Sequence, residues 1–174
     1  MGENPIALRS KNRLTEALRE LLEEKPYSDI TITELCSRAR LSRPAFYQNF
    51  DRMDDIFDRL LRNQLDRAAD EADIHPGMEQ AALVSACLAI MDSQSALFEM
   101  ACSNNMQGNL ERQFSLAVRG MLLKSRVTGK SHDNAEGYAA AFRAAGIASA
   151  LVTWFEGKRM VGKTELESVL RGLV

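Results

Sequence analysis

A chain of 174 residues, 45% hydrophobic and 26% charged, is long enough to bury a substantial core and has the composition of a folded globular protein, which excludes a disordered one. Its formal net charge of −2 and pI near 5.8 exclude a protein that coats nucleic acid through overall basicity, because non-specific affinity comes from Lys and Arg neutralising phosphates. Neither an apolar run of about eighteen residues nor the apolar core of a signal peptide appears, so a cytoplasmic protein with no membrane partner is expected.

In chain order, Arg9, Lys11 and Arg13 form a basic cluster before a first amphipathic helix marked by Leu14, Leu18, Leu21 and Leu22. Thr31 stands three residues before Glu34, the spacing at which a hydroxyl accepts from an early backbone N–H and the carboxylate reaches back. A second helix therefore starts there, with Ile32, Leu35 and Ala39 as its buried stripe. Arg40 and Leu41 make a short turn. Ser42 then caps a third helix, with Arg43 and Pro44 in its first turn, where the missing proline N–H costs little.

Over Arg43–Phe50, Phe46 and Phe50 share one face, at about 100° per residue. Pro44, Ala45 and Gln48 lie opposite, flanked by Tyr47 and Asn49. Aromatics inward and small or polar side chains outward, with a cation near the N-terminal end, are what a DNA-reading helix requires. Local charge agrees: Arg38, Arg40 and Arg43 surround the turn, while Glu20, Glu23, Glu24, Asp54, Asp55 and Asp58 gather elsewhere.

The stretch from Leu14 to Leu61 resembles the N-terminal domain of TetR-family (tetracycline-repressor-like) transcriptional regulators. The likeness is carried by the first amphipathic helix, Tyr27-Ser28-Asp29-Ile30-Thr31, the Ile32…Leu35…Ala39 helix, Leu41-Ser42 and above all Phe46-Tyr47-Gln48-Asn49-Phe50. Two positions depart from the family pattern. Arg40 stands where the family usually has Gly, and Met53, with Arg52 beside it, where a phosphate-binding Lys is common; the phosphate role is carried to Arg52. The resemblance implies an all-α fold: a three-helix helix-turn-helix DNA-binding domain over 1–52, joined to a helical effector-binding and dimerisation bundle over 53–174, with the helix 53–72 connecting them.

Asp51 and Asp54 open that connecting helix, and Met53, Ile56, Phe57, Leu60, Leu61 and Leu65 form its stripe. His75-Pro76-Gly77 breaks the chain. Residues 81–91 are apolar nearly all round, 92–95 interrupt them, and 96–102 form a short helix. Leu110, Phe114, Ala117, Val118, Met121 and Leu122 mark another helix. A loop over 128–131 precedes a long helix from about Asn134 to Glu156, with Gly157 as its C-cap. Thr164 and Glu167 have the spacing to cap a last helix carrying Leu166, Val169, Leu170 and Leu173.

Cys36, Cys87 and Cys102 lack CxxC spacing, and His75 and His132 sit in loops without neighbouring ligands, so neither a metal site nor a cofactor is expected. No Ser-His-Asp set or phosphate-cradling Gly loop marks an enzyme. Thr33, Arg43 and Ala45 are expected to read base edges. Tyr47, Asn49 and Arg52 are expected to hold phosphates, with Ser42, Pro44 and Gln48 on the same surface. By the resemblance, an effector pocket falls among Met91, Phe98, Met100, Phe114 and Met121. A homodimer interface falls on Ala145, Ala148, Val152, Phe155, Leu166 and Leu170. The function expected is a homodimeric regulator, most simply a repressor, that binds a palindromic operator in double-stranded DNA and is released by a small-molecule effector. The rival is a co-regulator that works through a protein partner or ligand with weak DNA binding.

Overall fold

The computed structural model of the chain describes residues 4–125, 134–157 and 159–173; the expected loop over 128–131 and His132 lie outside the described residues. Among those residues the regular structure is helical, and the chain divides into two compact units, 1–61 and 62–174.

The first unit holds α1 (Pro5–Glu24), a 3₁₀ turn (Tyr27–Asp29), α2 (Ile32–Arg38), α3 (Arg43–Tyr47) and the first part of α4 (Met53–Glu71). Leu14, Leu18, Leu21, Leu35, Phe46, Ile56 and Phe57 are completely buried, and each such side chain contributes about 1.5–3 kcal/mol of transfer free energy. The Tyr27 hydroxyl donates to Asp54, and its ring meets Phe57 edge-on at 5.4 Å, which pins the 3₁₀ turn to α4. Burial first, and then the Asp54 carboxylate, push the Tyr27 phenol well above its ordinary pKa; it stays a donor.

Helix α1 begins at Pro5, earlier than its leucine stripe suggests, because Asn4 Oδ1 accepts from the Ile6 N–H at 3.0 Å and proline fills the first helical position. Arg9, Lys11 and Arg13 are therefore residues of α1 and not a cluster that precedes it. Helix α3 ends at Tyr47, short of Phe50. The Asn49 side chain donates to the Ala45 carbonyl at 2.7 Å, while the Asn49 backbone N–H turns to Phe46 at 2.9 Å, so side chain and backbone compete and the helix tightens out. At the start of α4 it is Asp55, not Asp51 or Asp54, that accepts from the N–H groups of Asp51 and Arg52.

The second unit contains α5 (Gln80–Ser93), α6 (Ser95–Ser103), α7 (Gln107–Lys124), α8 (Asn134–Glu156) and α9 (Lys163–Leu173). The α5–α6 break bends the chain by 69°. Helices α7 and α8 form the most extensive packing in this unit. Ala140, Ala144 and Ala148 are buried along α8, and side chains that small at i, i+4 and i+8 let two helix axes approach closely. Helix α8 is apolar and long enough by composition to cross a membrane, as buried bundle helices commonly are.

One capping expectation holds and one fails here. Gly157 follows the last residue of α8 and its N–H donates to the Thr153 carbonyl at 2.9 Å, although among the described residues the left-handed position beyond the helix is Arg159 (φ 56°). Thr164 lies inside α9, since Leu166 already donates to the Gly162 carbonyl. Glu167 accepts from Ser85 on α5 and from Arg171 rather than closing a cap.

Candidate nucleic-acid interface

The local chemistry of residues 31–50 fixes a short exposed helix on a buried aromatic anchor. Thr31 Oγ1 accepts from the Glu34 N–H at 3.2 Å, the first half of the expected capping box. The second half is diverted, because the Glu34 carboxylate pairs with Lys25 at 2.7 Å. Helix α2 then closes with two reverse bonds, Leu41 N to Cys36 O at 2.9 Å and Arg40 N to Ser37 O at 3.0 Å. These bonds require a left-handed residue between them. Arg40 supplies it at φ 51°, and Arg13 Nη2 donates to the Arg40 carbonyl at 3.1 Å. The Ser42 hydroxyl accepts from the Ala45 N–H at 3.3 Å and starts α3 immediately.

Phe46 is fully buried, with Tyr47 edge-on to it at 5.0 Å and Phe50 at 6.5 Å. Burying one aromatic on the inner side forces Ser42, Arg43, Pro44, Tyr47 and Gln48 outward, and all five are exposed. Ala45 and Asn49 are half-buried. Since one Asn49 amide hydrogen is held by Ala45, its carbonyl oxygen is left for a further contact. Thr33 is exposed on α2. Arg52 is 72% exposed in its side chain and only 3.9 Å from Asp54, a weak pairing that leaves it accessible.

The cations around the turn divide into two groups. Arg38 grips Glu24 through two bonds of 2.8 Å and reaches Glu20 at 3.4 Å, which holds the Glu24 carboxyl below its ordinary range. It is structural. Arg43 and Arg40 have no acidic partner among the described residues. Lys11 of α1 lies 6.0 Å from the ring centroid of Phe50, just beyond α3.

The other expected sites look different. Met91, Phe98, Phe114 and Met121 are buried and Met100 is half-buried. Phe98 lies edge-on to Phe114 and tilted to Phe155, both at 5.4 Å. This stripe packs as core in the structure. Of the six residues expected at a dimer interface, Ala148, Val152 and Leu170 are covered by their own chain, Phe155 and Leu166 are half-buried, and only Ala145 is exposed. The face that α8 leaves open carries Tyr138 at 76% and Phe142 at 81% exposure, and α9 adds Val169 at 54%. The sequence marks Tyr138 and Val169 on the apolar stripes of these helices but not Phe142, because α8 is apolar on nearly every side and composition does not say which side its neighbours cover. Burial raises the thiol pKa of Cys36, Cys87 and Cys102, that of Cys87 to about 12; a protonated thiol is a poor nucleophile.

Residues 14–60 match the family model for bacterial regulatory proteins of the tetR family. A comparison with curated proteins gives no match. Among solved structures, the chain is similar to a TetR transcriptional regulator from Rhodococcus sp. RHA1, at 18% identity and TM-score 0.63, over 94% of this chain and 93% of that one. It is also similar to the TetR family repressor AlkX from Dietzia sp. strain DQ12-45-1b, implicated in biodegradation of n-alkanes. That likeness has 19% identity and TM-score 0.60, over 94% and 90% of the two chains.

Proposed function

We propose that the chain, whose residues 14–60 match the model for bacterial regulatory proteins of the tetR family, is a TetR-family transcriptional regulator and a cytoplasmic repressor. In this reading a homodimer inserts α3 into the major groove at each half of a palindromic operator. The observation that carries the reading is the outward row Arg43, Pro44, Tyr47 and Gln48 set against the buried Phe46. Arg43 at the helix start is suited to a guanine edge, and Ala45 gives the clearance for close approach. Tyr47, Asn49 and Arg52 hold phosphates and set register; Thr33 and Ser42 add hydroxyls on the same side.

Two copies are needed because half-sites on one face of B-DNA lie about 34–36 Å apart, and one α3 reaches only one of them. Tyr138 and Phe142, which are large and largely exposed, support α8 as the surface where the copies meet, since aromatics this bare are favourable to bury. Ala145, on the same helix, remains in that surface; Ala148, Val152 and Leu170 do not. An effector taken up by the C-terminal unit lowers DNA affinity by the difference in its binding to two conformations. Opening a pocket there means displacing the packed Phe98–Phe114 pair.

Selection of bound sequences from random duplex DNA tests the reading. It predicts enrichment of one palindrome with half-sites a helical turn apart. Recovery of no preferred sequence would overturn it and favour a co-regulator that works through a protein partner.

A further inference from the structure

We propose that Arg40 is an additional phosphate-gripping residue, presented by a left-handed turn that the fold holds in place for that purpose. The inference rests on the DNA-binding reading and deepens it. Arg40 has φ 51°, a conformation that costs a side-chain-bearing residue energy and that glycine would adopt freely. Non-glycine residues persist in that region where the surroundings over-determine them, often where the side chain is needed. Here the over-determination is explicit: two reverse bonds close α2 around Arg40, and Arg13 donates to its carbonyl from a different helix.

Arg40 lines an open depression on α2 together with Thr31, Thr33, Glu34, Ser37 and Arg38. The other charges there are already neutralised. Glu34 pairs with Lys25 at 2.7 Å, and Arg38 pairs with Glu24 at 2.8 Å. What remains is Arg40, which has no acidic partner among the described residues and lines the same depression as the hydroxyl-bearing Thr33 and Ser37. A single uncompensated cation flanked by hydroxyls is complementary to one phosphate. In a helix-turn-helix the first helix of the pair crosses the sugar-phosphate backbone while the second enters the groove, which puts this depression on the DNA side. Because phosphates carry no sequence information, Arg40 sets affinity and register and leaves base preference to α3.

The test is the salt dependence of duplex binding, with melting temperature, for wild type, Arg40→Gln, Arg40→Lys and Arg40→Gly, each on the selected operator and on a random duplex. Arg40→Gln should flatten the slope of log affinity against log salt by about 0.9 per bound chain, weakening both duplexes by the same factor. Arg40→Lys should keep the slope. Arg40→Gly should lose it as Arg40→Gln does, yet melt about 2–4 °C higher because the backbone strain is relieved. A steep wild-type slope that Arg40→Gln leaves unchanged would overturn the role of Arg40 alone, as would a loss confined to the operator. A flat wild-type slope would overturn the DNA-binding reading itself, and Arg40 with it.

Discussion

The two units of this chain expose opposite kinds of surface. The N-terminal unit buries its large apolar groups around Phe46 and shows water a row of small, hydroxylic and cationic side chains on α2 and α3. The C-terminal unit buries an almost wholly apolar set yet leaves Tyr138 and Phe142 bare on α8. Such surfaces suit different partners: exposed cations and hydroxyls suit phosphates and base edges, and exposed aromatics suit another apolar protein surface. What distinguishes the two units is thus what each leaves uncovered and not its overall composition.

The largest effect that separates the units comes from their aromatic anchors. Phe46→Ala should cost about 3–5 kcal/mol and abolish DNA binding, since α3 loses the group that orients it. Phe114→Ala should cost a similar amount while acting on the other unit. Thermal melts followed by circular dichroism, paired with gel shifts, would show both losses of stability. If Phe46→Ala left the melt unchanged, the anchoring role of that ring would be lost.

Next come substitutions on α8. Phe142→Asp removes an exposed group and should leave folding within about 0.5 kcal/mol, yet shift the protein toward monomer in sedimentation and weaken operator binding. Val152→Asp, only ten residues along the same helix but covered by its own chain, should instead unfold the C-terminal unit, because an unpaired charge cannot be buried cheaply. A dimer that survives Phe142→Asp would put the interface elsewhere.

These contrasts also mark what could be read before the structure. The N-terminal site was legible because its signals are local. Thr31 and Ser42 cap as their spacing to Glu34 and Ala45 demands, and Phe46 goes inward as a 3.6-residue repeat requires. Where several side chains compete for one backbone group, the reading slipped: Asp55 captured the start of α4, and Asn49 shortened α3. The surface of α8 was legible only in part, at Ala145. Ala145 and Ala148 are the same residue three positions apart, yet one is exposed and the other fully buried; only the packing of the neighbouring helices separates them.

A smaller contrast lies between two arginines near the turn. Arg43→Ala should cost about 1–3 kcal/mol on the operator and much less on random duplex. Arg38→Ala, which removes the partner of Glu24 and Glu20, should leave the preference for operator over random duplex intact. Equal loss on both duplexes for Arg43→Ala would remove it from base reading.

Acidification should give the smallest effect. Hydrogen bonds from Arg19, from Arg38, and from Ser85 and Arg171 hold Glu16, Glu24 and Glu167 below the ordinary 4.5. A lowered folded-state pKa stabilises above the unfolded value and is lost as pH falls through the folded one. These three carboxylates should therefore add stability above about pH 5 that is lost below about pH 4.5, opposed by Asp66, whose carboxyl burial pushes up, with Arg38→Ala blunting the Glu24 share of the loss. A melting temperature indifferent to pH across this range would show that these pairs add nothing.

The central claim is that the outward side of α3 meets bases. Site-specific photocrosslinking tests it most directly, with a photoreactive residue in place of Gln48 on α3 and, as control, in place of Glu23 at the far end of α1. The account predicts crosslinks from position 48 to bases within the selected duplex and none from position 23. Crosslinks equal from both positions, or none from position 48 while the duplex stays bound, would contradict it.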